Sequence, residues 1–264
     1  MQVIIDNSNL LELDFYSKVI SNIQAANLGD FDIHVRADFP DQPFAPLPRD
    51  GRKKVVFSFS DEKHRLPTYA GDEGVVVVFK SYAPSTPHPK LCPIPLPYKK
   101  GFKPNSVPFE RRNNFFYSGH SNGGSRQELK AVLSDIIFPD SYIQFTEGFN
   151  KGLVTEEYAK MLGAHKFAIC PTGNSTETFR HIEAVMSGCV LISNHQRAHW
   201  YNYNVPYIYV NSWLELPAIF DFFVANPQTA LDMHKETLEY YNKFLSLEAV
   251  SKVCINTVKH EISK

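Results

Sequence analysis

Eight prolines fall between Pro84 and Pro108, and thirteen of the chain's eighteen lie before residue 109. Proline fixes φ and removes an N–H donor, so such a stretch forms neither a helix nor a central strand. Its densest part, Pro93-Ile94-Pro95-Leu96-Pro97 followed by Lys99-Lys100-Gly101, reads as an extended linker. The chain is thereby split into two lobes, 1–105 and 106–264, with the boundary expected near 98–112.

On either side of the linker, short runs of β-branched and aromatic residues alternate with helical spacing. In the first lobe Val3-Ile4-Ile5 reads as a strand. Phe15, Val19, Ile23 and Ala26 then recur at helical intervals until Gly29. Residues 31–35, 54–59 and 75–79 follow as strands, and the unbroken Val75-Val76-Val77-Val78 suits a strand covered on both faces. The second lobe reads as strands at 114–118, 142–145, 166–170, 190–193 and 206–210. Helices are expected at 125–133, 156–162 and 177–187, and three helical segments close the chain. Alternation of this kind argues for an α/β fold with parallel sheets.

Composition excludes several classes. With 43% apolar and 21% charged residues, the 264-residue chain is ordinary for a globular protein. Its net charge of −1, without a basic block, speaks against nucleic-acid binding. No apolar run reaches the ~18–20 residues of a membrane helix, and the N-terminus shows no signal-type core, so a soluble, uncleaved chain without membrane insertion is expected. Cys92, Cys170, Cys189 and Cys254 lie too far apart for a metal knuckle and read as reduced thiols of a reducing compartment. His195 and His199 stand at i, i+4 spacing, but no carboxylate completes a metal set around them.

The richest segment is 166–193. A buried strand ends in Cys170-Pro171-Thr172-Gly173-Asn174-Ser175-Thr176, a helix follows, and Gly188 stops it before the next strand. Asn174 and Glu177 have capping-box spacing. At 100° per residue, Thr176, Arg180, Glu183 and Ser187 fall within about 60° of one another, beside an apolar stripe of Phe179, Ile182 and Met186. A helix N-terminus carrying Asn174, Ser175 and Thr176 would suit an anion, with Arg180 adding charge to a diphosphate and Glu183 accepting from a ribose diol. The same Arg180/Glu183 pair is equally an ordinary i, i+3 surface pair.

Cys170-Pro171-Thr172-Gly173, Thr178-Phe179-Arg180, Glu183-Ala184 and Gly188-Cys189-Val190 resemble the donor-site signature of exostosin-like glycosyltransferases. Phe115-Phe116-Tyr117-Ser118-Gly119 with Arg126 resembles the strand, glycine turn and arginine that open that family's donor lobe. Ser60-Asp61-Glu62, Lys80-Ser81-Tyr82 and Ile94-Pro95-Leu96-Pro97-Tyr98 are similar to motifs of its short, ribitol-xylosyltransferase-like members. The resemblance covers roughly residues 55–215. It implies a GT-B fold, two Rossmann-like lobes with a cleft between them, and inverting, metal-independent transfer from a UDP-sugar to a glycan hydroxyl. Xylose is the first expectation for the sugar, and no cofactor is expected beside the UDP-sugar donor. Pro97 stands where glycine is commoner, and no anchor or stem is apparent. A bacterial or large-algal-virus origin with a cytoplasmic location, the host's if viral, is therefore expected.

The resemblance also distributes roles. Gly119, Arg126, Thr172, Gly173, Asn174, Ser175, Thr176, Arg180 and Glu183 are the expected donor-binding residues, within a loop running on through Gly124. Asp61, Glu62 and His64, after the 54–59 strand, are the candidate general bases, with Asp61 first; Asp72-Glu73 forms a second acidic pair, read as a turn. Trp200, Tyr201 and Tyr203 either wall a pocket or sit in the core. Two alternatives stand beside this reading. One is a metal-dependent GT-A transferase using Asp30 and Asp32; the other is a non-catalytic nucleotide-sugar or glycan-binding module.

Overall fold

A computed structural model describes residues 1–105, 107–123, 125–148, 151–194 and 199–264. The chain divides into two compact units. Unit 1 comprises residues 1–100, 199–201 and 244–264, and unit 2 comprises residues 101–198 and 202–243.

In unit 1, β1 (Val3–Ile5), β2 (Asp32–Ala37), β3 (Lys54–Phe59), β4 (Val75–Lys80) and β5 (Leu91–Pro93) form one parallel sheet in that order. Helix α1 (Leu13–Ala25) lays Phe15, Tyr16, Val19, Ile20 and Ile23 on one face of it, against Ile33, Val35, Val55, Phe57, Phe59, Val77 and Phe79. Five such buried side chains contribute roughly 1.5–3 kcal/mol each. The helix ends where Asn27 and Gly29 take positive φ of 48° and 120°, which closes the α-helical path. On the other face Leu47, Tyr69 and Ala70, from the connecting segments, pack on Val56, Val75 and Val78. Both faces are thus covered, which is why the valine run is continuous.

Two features of unit 1 were not expected. The proline-rich stretch donates an edge strand, β5, where the lost N–H groups cost no ladder bond from a further strand. Its carbonyls are used instead: Trp200 Nε1 donates to Pro93 O at 2.6 Å and Tyr16 Oη to Pro95 O at 2.6 Å. The last helix, α7 (Leu247–Ile262), was read with the second lobe but belongs to unit 1. Its stripe of Val250, Cys254 and Val258 completes the face that α1 covers only in part, and Asn22 Nδ2 donates to Ser251 Oγ across the two helices.

Unit 2 holds β6 (Asn113–His120), β7 (Tyr142–Thr146), β8 (His165–Ile169), β9 (Val190–Ser193) and β10 (Tyr207–Tyr209), all parallel, in the order β10-β9-β8-β6-β7. Helices α2 (Arg126–Asp135), α3 (Thr155–Gly163), α4 (Phe179–Met186), α5 (Leu216–Ala225) and α6 (Pro227–Tyr240) complete it. Phe115, Tyr117, Phe167, Ile169, Val190 and Ile192 meet Leu129, Val132, Trp213, Leu216 and Phe223 in the core of one face. A π-helical turn at Tyr241–Leu245 separates α6 from α7, and the division between the units falls inside it.

Gly188 ends α4 with φ +69°, and a β-carbon there would lie 2.7 Å from His234 Cε1, so glycine is required twice over. The free carbonyls of the helix end are met by Arg112 Nη1, which donates to Ser187 O and Gly188 O, and by His234 Nδ1, 2.5 Å from Gly188 O.

Candidate functional site

In unit 2 the strand order reverses at β6, which pairs with β7 on one side and β8 on the other. Connections leave such a point towards opposite faces, and open α/β sheets bind ligands there, outside the carboxyl ends of the strands. Here those ends are Gly119-His120, which close β6, and Cys170-Pro171-Thr172-Gly173, which follow β8.

Two arginines bind these turns together. Arg180, from the first turn of α4, donates from Nη2 to Ser118 O at 2.6 Å and lies over the Tyr117 ring, 5.5 Å from its centroid. Arg126, the first residue of α2, donates from Nε to Thr172 O at 3.0 Å and from Nη1 to His120 Nε2 at 2.6 Å. His120 is the acceptor there because burial, Arg126 and Arg180 all lower its pKa and keep the ring neutral. Both glycines are needed for these approaches: a β-carbon on Gly119 would meet Arg180 Nη2, and one on Gly173 would come within 3.0 Å of Arg126 Nη2. Arg180 Nε and Thr176 Oγ1 are buried without a hydrogen-bond partner among the described residues. Buried donors left unpaired are rare in folded proteins, and each calls for a partner such as water, an ion or a ligand.

The loop between β8 and α4 is internally tied. Thr172 N donates to Asn194 Oδ1, and Asn194 Nδ2 donates to Ser125 Oγ at the start of α2. Gly173 N donates to Ser175 O at 2.8 Å. Asn174 is exposed and Ser175 is buried. The capping residue differs from the expectation. Asn174 and Glu177 do not cap α4; the helix begins at Phe179 with Thr178 as N-cap, in a reciprocal capping box with His181. Burial pushes the His181 pKa down to about 4, so the ring is neutral. Ser193 Oγ donates to Cys170 O, so His181 Nε2 donates to Ser193 Oγ, and Nδ1 accepts from Thr178 N. The Asn174-Ser175-Thr176 segment therefore precedes the helix by a turn of loop rather than forming its N-terminus.

The buried part of α4 is broader than the expected stripe. Ile182 of that stripe is buried, as are His181, Glu183, Ala184, Val185 and Ser187, whereas Phe179 and Met186 are only half-buried. Glu183 is thus no member of a surface pair. It lies against Tyr158 of α3, whose phenol is raised by burial and then by the Glu183 carboxylate. Tyr158, which the sequence reading missed, also lies against Arg180. Gly124 and His195 fall outside the described residues.

The acidic residues of unit 1 separate into different roles. Asp61 is fully buried, and three donors fill its carboxylate: Arg65 Nε at 3.0 Å, Lys80 Nζ at 3.2 Å and Arg65 N at 2.8 Å. The expectation that Asp61 faces an acceptor is corrected on that ground: two cations and a backbone N–H occupy the lone pairs a base would need. Glu62 is half-buried beside it. His64 sets Nδ1 3.3 Å from Ala83 O and its ring edge-on to Tyr82. Asp30 and Asp32, at the amino end of β2, are occupied by Arg52, at 2.8 and 3.1 Å, and Asp32 also accepts from Gln2 N. That arrangement is a salt-bridged strand end rather than a metal pair, and no group of metal-ligating side chains is found among the described residues. Asp72 follows a short 3-10 turn, Thr68–Gly71.

Tyr201 is core, Trp200 packs on the unit 1 core, and Tyr203 is 74% exposed. All four cysteines are free, and burial pushes the Cys189 thiol up to about 12. No helix among the described residues is long and apolar enough to cross a membrane.

Solved structures share this architecture. The crystal structure of TarM is 10% identical, covers 86% of this chain and 54% of its own, and superposes with a TM-score of 0.50. The crystal structure of the GtfA/B complex is 12% identical, covers 96% of this chain and 61% of its own, and has a TM-score of 0.50. This chain therefore spans between about half and three fifths of the length of those two proteins. The fold is α/β of the GT-B kind, with two Rossmann-like units. The family model of the RXYLT1 C-terminal domain matches residues 108–262, more than half of the chain and all of the segment built around Arg126, Arg180 and Glu183. The chain belongs to the RXYLT1 C-terminal domain family, a glycosyltransferase family.

Proposed function

We propose that the protein transfers a sugar from a UDP-sugar to a glycan hydroxyl, with inversion and without a metal. The observation that carries this reading is the pair Arg126 and Arg180 at the β6/β8 reversal, with the buried Arg180 Nε unpaired. In such a transfer the sugar–phosphate bond breaks and charge grows on the β-phosphate. Preorganised guanidinium and backbone N–H donors stabilise that charge, typically by ~10²–10³ in rate for each donor. Arg126 and Arg180 supply this on unit 2, with Thr172, Gly173 and the 174–176 loop lining the diphosphate. Glu183 holds the ribose, positioned by Tyr158. Xylose is the first choice of sugar, on the family's xylosyltransferase-like character. Four free thiols support action in a reducing compartment, the cytoplasm.

The GT-A reading is not favoured, because Asp30 and Asp32 are committed to Arg52. Hydrolysis of UDP-xylose, UDP-galactose, UDP-glucose and UDP-glucuronate, each with and without EDTA, tests the proposal. One donor turned over equally in both conditions is the expected result. Turnover abolished by EDTA overturns metal independence. UDP binding with no turnover of any donor leaves the binding-module reading in its place.

A further inference from the structure

Arg126 is held by both turns at the β6/β8 reversal. It donates from Nε to Thr172 O at 3.0 Å, in the turn after β8, and from Nη1 to His120 Nε2 at 2.6 Å, at the end of β6. Its Nη2 lies 3.0 Å from the point a β-carbon on Gly173 would occupy. The guanidinium thus spans the two turns, its direction set by one carbonyl and one imidazole.

His120 is itself fixed for this contact. Its backbone pairs with Thr146 of β7, and its carbonyl accepts from Tyr117 Oη at 3.1 Å. The same Tyr117 ring lies under Arg180. An arginine donates hydrogen bonds and cannot accept them, so the contact requires a lone pair on Nε2 and puts the ring proton on Nδ1. Nδ1 is buried without a hydrogen-bond partner among the described residues; the Asn122 backbone lies beside the ring but outside bonding geometry. The ring therefore forgoes a bond at one nitrogen while the other meets Arg126. A carboxylate at this place would also hold the guanidinium, but would cancel its charge. A neutral lone pair gives direction and leaves the charge for an anion.

We infer that His120 is a positioning residue: its Nε2 lone pair aims Arg126 at the diphosphate of the sugar donor. The inference rests on the glycosyl-transfer reading above and deepens it. As the bond from the anomeric carbon to the diphosphate oxygen breaks, the electron pair stays with that oxygen, and Arg126 meets the charge. His120 touches neither sugar nor phosphate and exchanges no proton. It acts through the guanidinium, whose misplacement by about 1 Å can cost ~10²-fold in rate.

The test uses the full chain and whichever of UDP-xylose, UDP-galactose, UDP-glucose and UDP-glucuronate is hydrolysed fastest. A glutamine side chain brings an amide oxygen near the position of Nε2, whereas asparagine is too short to reach Arg126. His120→Asn should lower kcat by ~10–10² with little change in donor KM, and His120→Gln should stay within a few-fold of wild type. In an Arg126→Ala background, His120→Asn should cost nothing further, because its effect passes through that side chain. Nitrogen-15 NMR of the wild type should show Nδ1 protonated and Nε2 bare. An Nε2–H ring, a wild-type kcat in His120→Asn, equal losses in the two variants, or a loss that persists without Arg126 overturns the inference alone. A wild type that hydrolyses none of the four donors overturns it together with the reading it rests on.

Discussion

Arg180 Nη2 lies 2.6 Å from the point a β-carbon on Gly119 would occupy. The glycine is required by this guanidinium and not by its own backbone, so Gly119→Ala acts on Arg180 directly. Its expected result is a folded protein that binds UDP about tenfold or more weakly, since a charged hydrogen bond contributes ~1.5–3 kcal/mol. Calorimetric titration with UDP measures it, and an unchanged affinity would remove Arg180 from the donor site.

Arg126→Ala should lower kcat for donor turnover by ~10²–10³, the usual loss for one preorganised donor. The variant also frees Thr172 O and His120, so the loop between β8 and α4 loses its tie to α2. Added manganese should not restore the rate; recovery by the metal would sink the metal-free account.

For Glu183, the nearly isosteric Glu183→Gln separates a ligand role from a packing role. If the carboxylate accepts from a ribose diol, UDP affinity falls by roughly tenfold with little change in stability. A variant that binds UDP normally but melts lower would leave Glu183 as a partner of Tyr158 only.

Asp61→Asn should weaken the fold rather than the chemistry. Lys80, fully buried, would lose its carboxylate, and breaking a buried pair costs ~3–5 kcal/mol. Urea denaturation should show that loss, and pairing the change with Lys80→Met should recover part of it. Donor turnover by the folded fraction should stay within a few-fold of wild type.

Glu12, buried at the N-cap of α1, ties stability to pH. Its pKa is about 7 in the folded protein against an ordinary 4.5, so the folded state holds the proton more tightly than the unfolded state does. Stability from this group is full below about pH 4.5 and is lost as pH rises to about 7, a difference of roughly 3 kcal/mol. Glu12→Gln should therefore be more stable than wild type at pH 8 and similar at pH 4. Urea midpoints at the two values decide it, and equal midpoints at pH 8 would rule out a strained carboxyl.

Much of the sheet framework was legible because it rests on short-range pattern. β3 reads directly from Lys54 to Phe59, and β4 from its valines. The start of α4 was misplaced because Asn174 to Thr176 look like caps, while the true partner of Thr178 is a histidine, outside the usual Ser/Thr-x-x-Glu/Gln signature. The role of Asp61 was hidden in register: β3 and β4 pair Ser58 with Lys80, which brings the buried ammonium at the end of β4 to the carboxylate just past the end of neighbouring β3. A lysine closing an otherwise apolar run was the available signal, since a buried cation needs an anion. The burial of Glu12 gave no signal at all, because one glutamate ahead of a helix is common.

The return of α7 to the first sheet sets the order in which the protein can be made. Domains generally mature from the N-terminus as they leave the ribosome. Here the sheet begun by β1 keeps the stripe later taken by Val250, Cys254 and Val258 uncovered until all of unit 2 has been synthesised. The earliest strands are thus the last to be sealed. A nascent chain stalled before residue 244 should display a sticky apolar surface that a chaperone would hold, even with unit 2 already folded.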